Sequence, residues 1–333
     1  MAHSSSPIAY IADEVDENLK VEIKVCILKD GKRYFGDVGV RAKEKDTSIM
    51  GNVDQQTIPC INGYLQGEYA FVSLPHNTIN KVLIGKYKFI WQWTFTCTDD
   101  DSTKHEETIA TEHVVYIIPH KPLGLWQVAD PNQIFAPWAE TMDFVCQEFS
   151  NLVQLPLTDE DIKKSVVHMV NESGMKYDIV QGACYYTQKN PQPRLYARRL
   201  MEDIKNKKPG GMTVNCNDCA CIVAFFLSIL GIDMKLAYIA STTLPVFSCN
   251  AIQAIGYTDW KVPFDKGFTY HALCGEVTSV FDACLILDGS EDPWAAPPES
   301  RVPLHPEGLV YTTGDPNPKP PFPTPTYKER RCV

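Results

Sequence analysis

Apolar and polar residues alternate along the first third of the chain, and the period then changes. From Leu19 on, Val21, Ile23, Val25 and Ile27 fall on one side and Lys20, Glu22 and Lys24 on the other, the pattern of a half-buried strand. Asp30-Gly31 is a hairpin turn signal that predicts residues 33–41 as the returning strand. Residues 42–59 are polar and read as loop; 67–74 and 80–83 read as short strands. Phe89, Trp91, Trp93 and Phe95 alternate with Ile90, Gln92 and Thr94. Alternate residues share a strand face, so these aromatics are expected to form core rather than a sugar-stacking surface. A last strand, 108–118, runs up to Pro119, and residues 1–18 read as a loose polar start. Strands at this density without a helix signal predict an immunoglobulin-like antiparallel β-sandwich over residues 1–118.

Beyond that point the spacing becomes helical. Pro119, Pro122, Pro131 and Pro137 mark residues 119–137 as an extended connector. A first helix is expected over 139–153. Thr158 followed by Asp161 resembles a capping box for a second, which carries Ile162, Val166, Val167 and Val170. A third is expected over 194–206 and is broken by residues 208–211, Lys-Pro-Gly-Gly. The fourth is apolar nearly all round, with Ile222, Val223, Phe225, Phe226, Leu227, Ile229 and Leu230, so it should be covered on most sides. Asn215 is its N-cap, Cys216 its first helical residue and Gly231 its stop. Strands follow at 234–239, 268–273 and 280–287, the last two joined as a hairpin at Gly275-Glu276. Helices followed by an antiparallel sheet predict an α+β domain over residues 138–290. Residues 291–333 are dense in proline and read as a tail without regular structure.

Three residues of this domain carry candidate chemistry. Cys216 sits where the helix macrodipole favours a thiolate. His271 and Asp282 fall on neighbouring strands. Together they supply nucleophile, base and orienting carboxylate in the order that covalent acyl transfer requires. The backbone N–H of Cys216 and one further donor, Asn215 or Gln181, are candidates to hold an oxyanion. Other readings exist. Cys216 and Cys219 with Cys249, His271, Cys274 or Cys284 offer zinc ligands, but they include only one short-spaced pair, which lies in an apolar helix. A redox Cys-x-x-Cys would want a strand immediately before it. A non-catalytic scaffold remains a third alternative. Cys219 and Cys221 read as buried packing thiols.

The segment from Cys216 through Ala220 to Leu230-Gly231-Ile232 resembles the nucleophile helix of the transglutaminase-like superfamily. There alanine follows the cysteine by four residues and glycine by fifteen. His271-Ala272 resembles the family's histidine strand and Phe281-Asp282-Ala283 its aspartate strand. Leu273 stands where that family has tryptophan, and the hairpin is shorter. The resemblance implies a papain-like Cys-His-Asp core, the triad Cys216, His271 and Asp282, and attack on a carboxamide or peptide carbonyl. Water or an amine would complete the reaction.

Composition adds exclusions. A net charge of −10 with no offsetting basic stretch argues against nucleic acid and against an acidic membrane surface. No apolar run is long enough for a transmembrane helix. The N-terminus lacks a secretory pattern. A cytoplasmic location with mostly free thiols among the 12 cysteines is therefore expected. The expected partner is a peptide, protein or small amide substrate, with no cofactor or metal.

Overall fold

The computed structural model describes residues 8–11, 21–27, 35–45, 50–60, 67–73, 84–98, 103–123, 136–150, 158–188, 194–207, 211–239, 252–259, 270–276 and 279–287. The chain divides into two compact units: Met1–His120 with Phe149–Pro156, and Lys121–Glu148 with Leu157–Val333. The Asp30-Gly31 turn, Cys249, the connector over 124–135 and the proline-rich 291–333 lie outside the described residues.

The first unit contains β1 (Ile8–Ile11), β2 (Val21–Ile27), β3 (Phe35–Lys45), β4 (Val53–Ile58), β5 (Gly67–Ser73), β6 (Gly85–Thr98) and β7 (Lys104–Ile118). These form one sheet in the order β1-β7-β6-β3-β4-β5-β2, not the two separate sheets of the expected sandwich. The sheet curls on itself. β4 meets β5 through a single pair, Val53 with Ser73, which makes a corner in the ladder. Phe71 of β5 accordingly reaches Trp93 of β6, past the two intervening strands of the ladder, with ring centroids 5.3 Å apart. Val38, Val40, Ala42, Met50, Phe71, Phe89, Trp91 and Trp93 fill the concave side. The strand aromatics are therefore core, and their indole N–H groups are satisfied. Trp91 donates to Gly51 O at 3.0 Å and Trp93 to Thr111 Oγ1 at 2.9 Å.

Three expectations fail in this unit. Residues 42–59 hold the end of β3 and all of β4 rather than a loop, because Val53 and Ile58 supply just enough burial at the strand's ends. β2 pairs antiparallel with β5, not with β3, so the alternation of residues 21–27 was legible but its partner was not. Within the stretch expected to be loose, Ile8–Ile11 pairs parallel with β7.

The second unit contains α1 (Ala136–Ser150), α2 (Asp159–Asn171), β8 (Met175–Tyr177), β9 (Thr187–Gln188), β10 (Arg194–Leu195), α3 (Ala197–Lys205), β11 (Met212–Val214) and α4 (Cys216–Ile229). β12 (Leu236–Ile239), β13 (Ile252–Ala254), β14 (His271–Glu276), β15 (Ser279–Phe281) and β16 (Leu285–Leu287) follow. The arrangement is mixed α and β with mainly antiparallel pairing. Thr158 caps α2 as a capping box with Asp161. α4 ends in a Schellman motif. Ile232 N donates to Leu227 O at 3.0 Å and Gly231 N to Ser228 O at 3.2 Å, geometry that the positive φ of Gly231, 80°, makes possible. Ile222, Val223, Phe226 and Leu227 are wholly buried, each contributing about 1.5–3 kcal/mol. Phe226 packs on Phe144 of α1, and Cys274 Sγ of β14 donates to Ala220 O at 3.0 Å. Among the described residues, no helix is long and apolar enough to cross a membrane.

Candidate active site

Asn215 begins the site. Its Oδ1 accepts from Asp218 N at 3.0 Å and its own N–H donates to Asp218 Oδ2 at 3.2 Å, a reciprocal box that starts α4 with Cys216 as the first helical residue. Cys216 is 6% exposed and so almost wholly withdrawn from water.

β14 delivers His271 with no exposed surface, and its register is fixed by β12, where Ile239 stands opposite. Asp282 occupies a break in the expected 280–287 strand. β15 ends at Phe281, while β16 leaves to pair with β13. The break frees two backbone N–H groups. Asp282 Oδ1 accepts from Cys284 N at 2.8 Å and from Leu285 N at 3.3 Å. The other oxygen, Oδ2, lies 2.6 Å from His271 Nε2. Asn171 at the end of α2 donates to Ala283 O at 2.9 Å and steadies the same loop. Gly275 and Glu276, expected as the turn, lie within β14 and pair with Val280 and Ser279.

Burial is the largest influence on the His271 imidazole and pushes its pKa down. The charge and hydrogen bond of Asp282, joined by a hydrogen bond and charge from Cys216, outweigh it and raise the pKa to about 10. Nε2 is engaged by Asp282, and Nδ1 is buried on the other side of the ring. The structure thus pairs His271 with Asp282, and Cys216 acts on the same imidazole electrostatically.

The two oxyanion candidates differ. Asn215 Nδ2 donates to Gly182 O at 2.8 Å and to Cys184 Sγ at 3.1 Å, so both of its amide hydrogens are committed. Gln181 is exposed on the turn next to Gly182, and its backbone N–H is held by Asp178 Oδ1 at 3.0 Å.

Several residues escaped the sequence reading. Asp218 is wholly buried and accepts from Tyr185 N at 2.8 Å, Tyr186 N at 3.0 Å and Thr187 Oγ1 at 2.7 Å besides Asn215. Burial holds its carboxyl above the usual range, and these bonds pull the other way. The Asn-x-x-Asp spacing was the available signal. Asn217 Nδ2 donates to the Tyr270 hydroxyl at 2.8 Å. Each is the chain neighbour of a candidate catalytic residue, a link no local pattern displays. Burial raises the thiols of both Cys219 and Cys284, as fits packing groups. Among the described residues, no three His, Cys, Asp or Glu side chains are grouped to hold a metal ion.

No protein-family model matches this chain, and no curated protein does. Among solved structures it is similar to a transglutaminase from red sea bream, at 11% identity and a TM-score of 0.34. The match covers 80% of this chain and 48% of that one, so the chain spans about half the length of the transglutaminase. A likeness of that size carries no weight for function, and the chemistry rests on the site's own geometry.

Proposed function

We propose that this protein is a thiol-dependent acyl-transfer enzyme of transglutaminase-like type. Cys216 attacks a carboxamide or peptide carbonyl, His271 carries the proton, and Asp282 fixes the imidazole orientation. The observation that supports this best is the fully buried imidazole held 2.6 Å from the Asp282 carboxylate, with the helix-terminal thiol of Cys216 among the groups that raise its pKa. Imidazolium beside sulfur offsets the charge of the attacking thiolate. When the tetrahedral adduct collapses, the C–N bond breaks and His271 donates its proton to the departing amine. The thioester then passes its acyl group to water or to an amine. Backbone N–H of Cys216 is the first oxyanion donor, and Gln181, at the rim, is the second candidate. Because the reaction needs a reduced thiol, we place the protein in a reducing compartment such as the cytoplasm.

The test is ammonia release from a pool of glutamine-containing peptides, with and without an added primary amine. The wild type is expected to release ammonia and Cys216→Ala to release none. Equal release by both would remove Cys216 from the reaction.

A further inference from the structure

The turn that leads from β8 towards β9 is built with more constraint than its exposure requires. It starts beside α4, where Asp178 N donates to Val214 O at 2.9 Å. The Asp178 carboxylate then gathers the turn around itself. Oδ1 accepts from Val180 N at 3.1 Å and Gln181 N at 3.0 Å; Oδ2 accepts from Ala183 N and the Tyr185 hydroxyl, both at 3.2 Å. Gly182, at φ 58°, closes the turn with its N–H on Asp178 O at 3.0 Å. Its carbonyl is the acceptor for Asn215 Nδ2 at 2.8 Å. The turn is therefore anchored on the residue immediately before Cys216.

This rigid frame holds two apolar side chains in water. Val180 is 85% exposed and Ile179 41%. Scattered surface valines are ordinary. A valine at the tip of a turn pinned by seven hydrogen bonds beside a candidate nucleophile is a different case, since a docking group loses little freedom on meeting it. The backbone N–H groups of Val180, Gln181 and Ala183 face inward to Asp178, while the side chains of Ile179 and Val180 carry apolar surface outward.

We infer that the Ile179-Val180 turn is the specificity rim of the site and selects substrates that carry an apolar group close to the reacting carbonyl. This rests on the acyl-transfer reading above and deepens it. The rim excludes a charged neighbour, which would lose hydration against Val180 without gaining a partner.

The test uses two alkylating probes on the full chain: iodoacetamide and N-hexyl iodoacetamide. Each forms a thioether with Cys216 sulfur and expels iodide, and mass spectrometry reads the rate at that residue. The wild type is expected to react with the hexyl probe about tenfold faster, the effect of burying a few methylenes against the rim. Val180→Asp should abolish this preference, read as the ratio of the two probe rates within the same variant, while Val180→Leu should retain it. Fast reaction at Cys216 with no hexyl preference, or a preference that survives Val180→Asp, would overturn the rim and leave the acyl-transfer reading intact. No reaction at Cys216 with either probe would overturn both.

Discussion

Replacing Asp282 by asparagine keeps the shape of the buried pair and removes its charge. In the native protein His271 holds its proton up to a pKa of about 10, raised from 6.5. In the unfolded chain the same imidazole loses it near pH 6.5. Between those values the folded state binds one more proton than the unfolded state, so stability is fully present below pH 6.5 and falls as pH rises through about 10. At about 1.4 kcal/mol per pH unit the interval corresponds to at most about 5 kcal/mol. In Asp282→Asn, burial acts on the imidazole without the opposing carboxylate, and His271 is neutral throughout the interval. Its stability then carries no such slope from this group. Other thiols and tyrosines titrate in both proteins and cancel in the difference. Equilibrium denaturation across the interval should show the gap between wild type and variant narrowing by several kcal/mol as pH rises. A gap independent of pH would refute the charged pair.

Further outcomes follow from the contacts around the site. Tyr270→Phe removes the acceptor for Asn217 and should cost about 1 kcal/mol; it should also slow Cys216 alkylation, because the bond ties the first turn of α4 to the approach of β14. Asp218→Ala strands four donors in the interior and should destabilise by about 3–5 kcal/mol in denaturant melts. Gly256→Ala would put a Cβ 2.4 Å from Met175 O at a φ of 78°. It should cost about 2–4 kcal/mol, measured the same way.

Features fixed by local chemistry were readable in the sequence. The α2 cap, the start of α4 at Cys216 and its stop at Gly231 depend on side chains within a few residues of the helix ends. The inner face of β6 depends only on alternation. Features that depend on distant partners were not readable. Nothing in residues 21–27 names β5 as their neighbour, and nothing in Ile8–Ile11 names β7. The curl that turns expected sandwich strands into one sheet arises from a single-pair joint at Val53 and Ser73. Within the site, the order Cys216, His271, Asp282 was visible. The break that aims Asp282 was hidden, because Ala283-Cys284-Leu285 continues the apolar pattern of a strand. The work of Asp178 and Asp218 was hidden too, since each gathers backbone N–H groups that no side-chain pattern records.

The central claim is that His271 and Asp282 serve the sulfur of Cys216. It is tested most directly by timing iodoacetamide modification of each of the 12 cysteines at neutral pH, in wild type and in His271→Gln. The account predicts that Cys216 reacts first in the wild type and at least about tenfold more slowly in the variant, the loss of a charged partner beside the thiolate. The same rate at Cys216 in both proteins, or another cysteine reacting first, would contradict it.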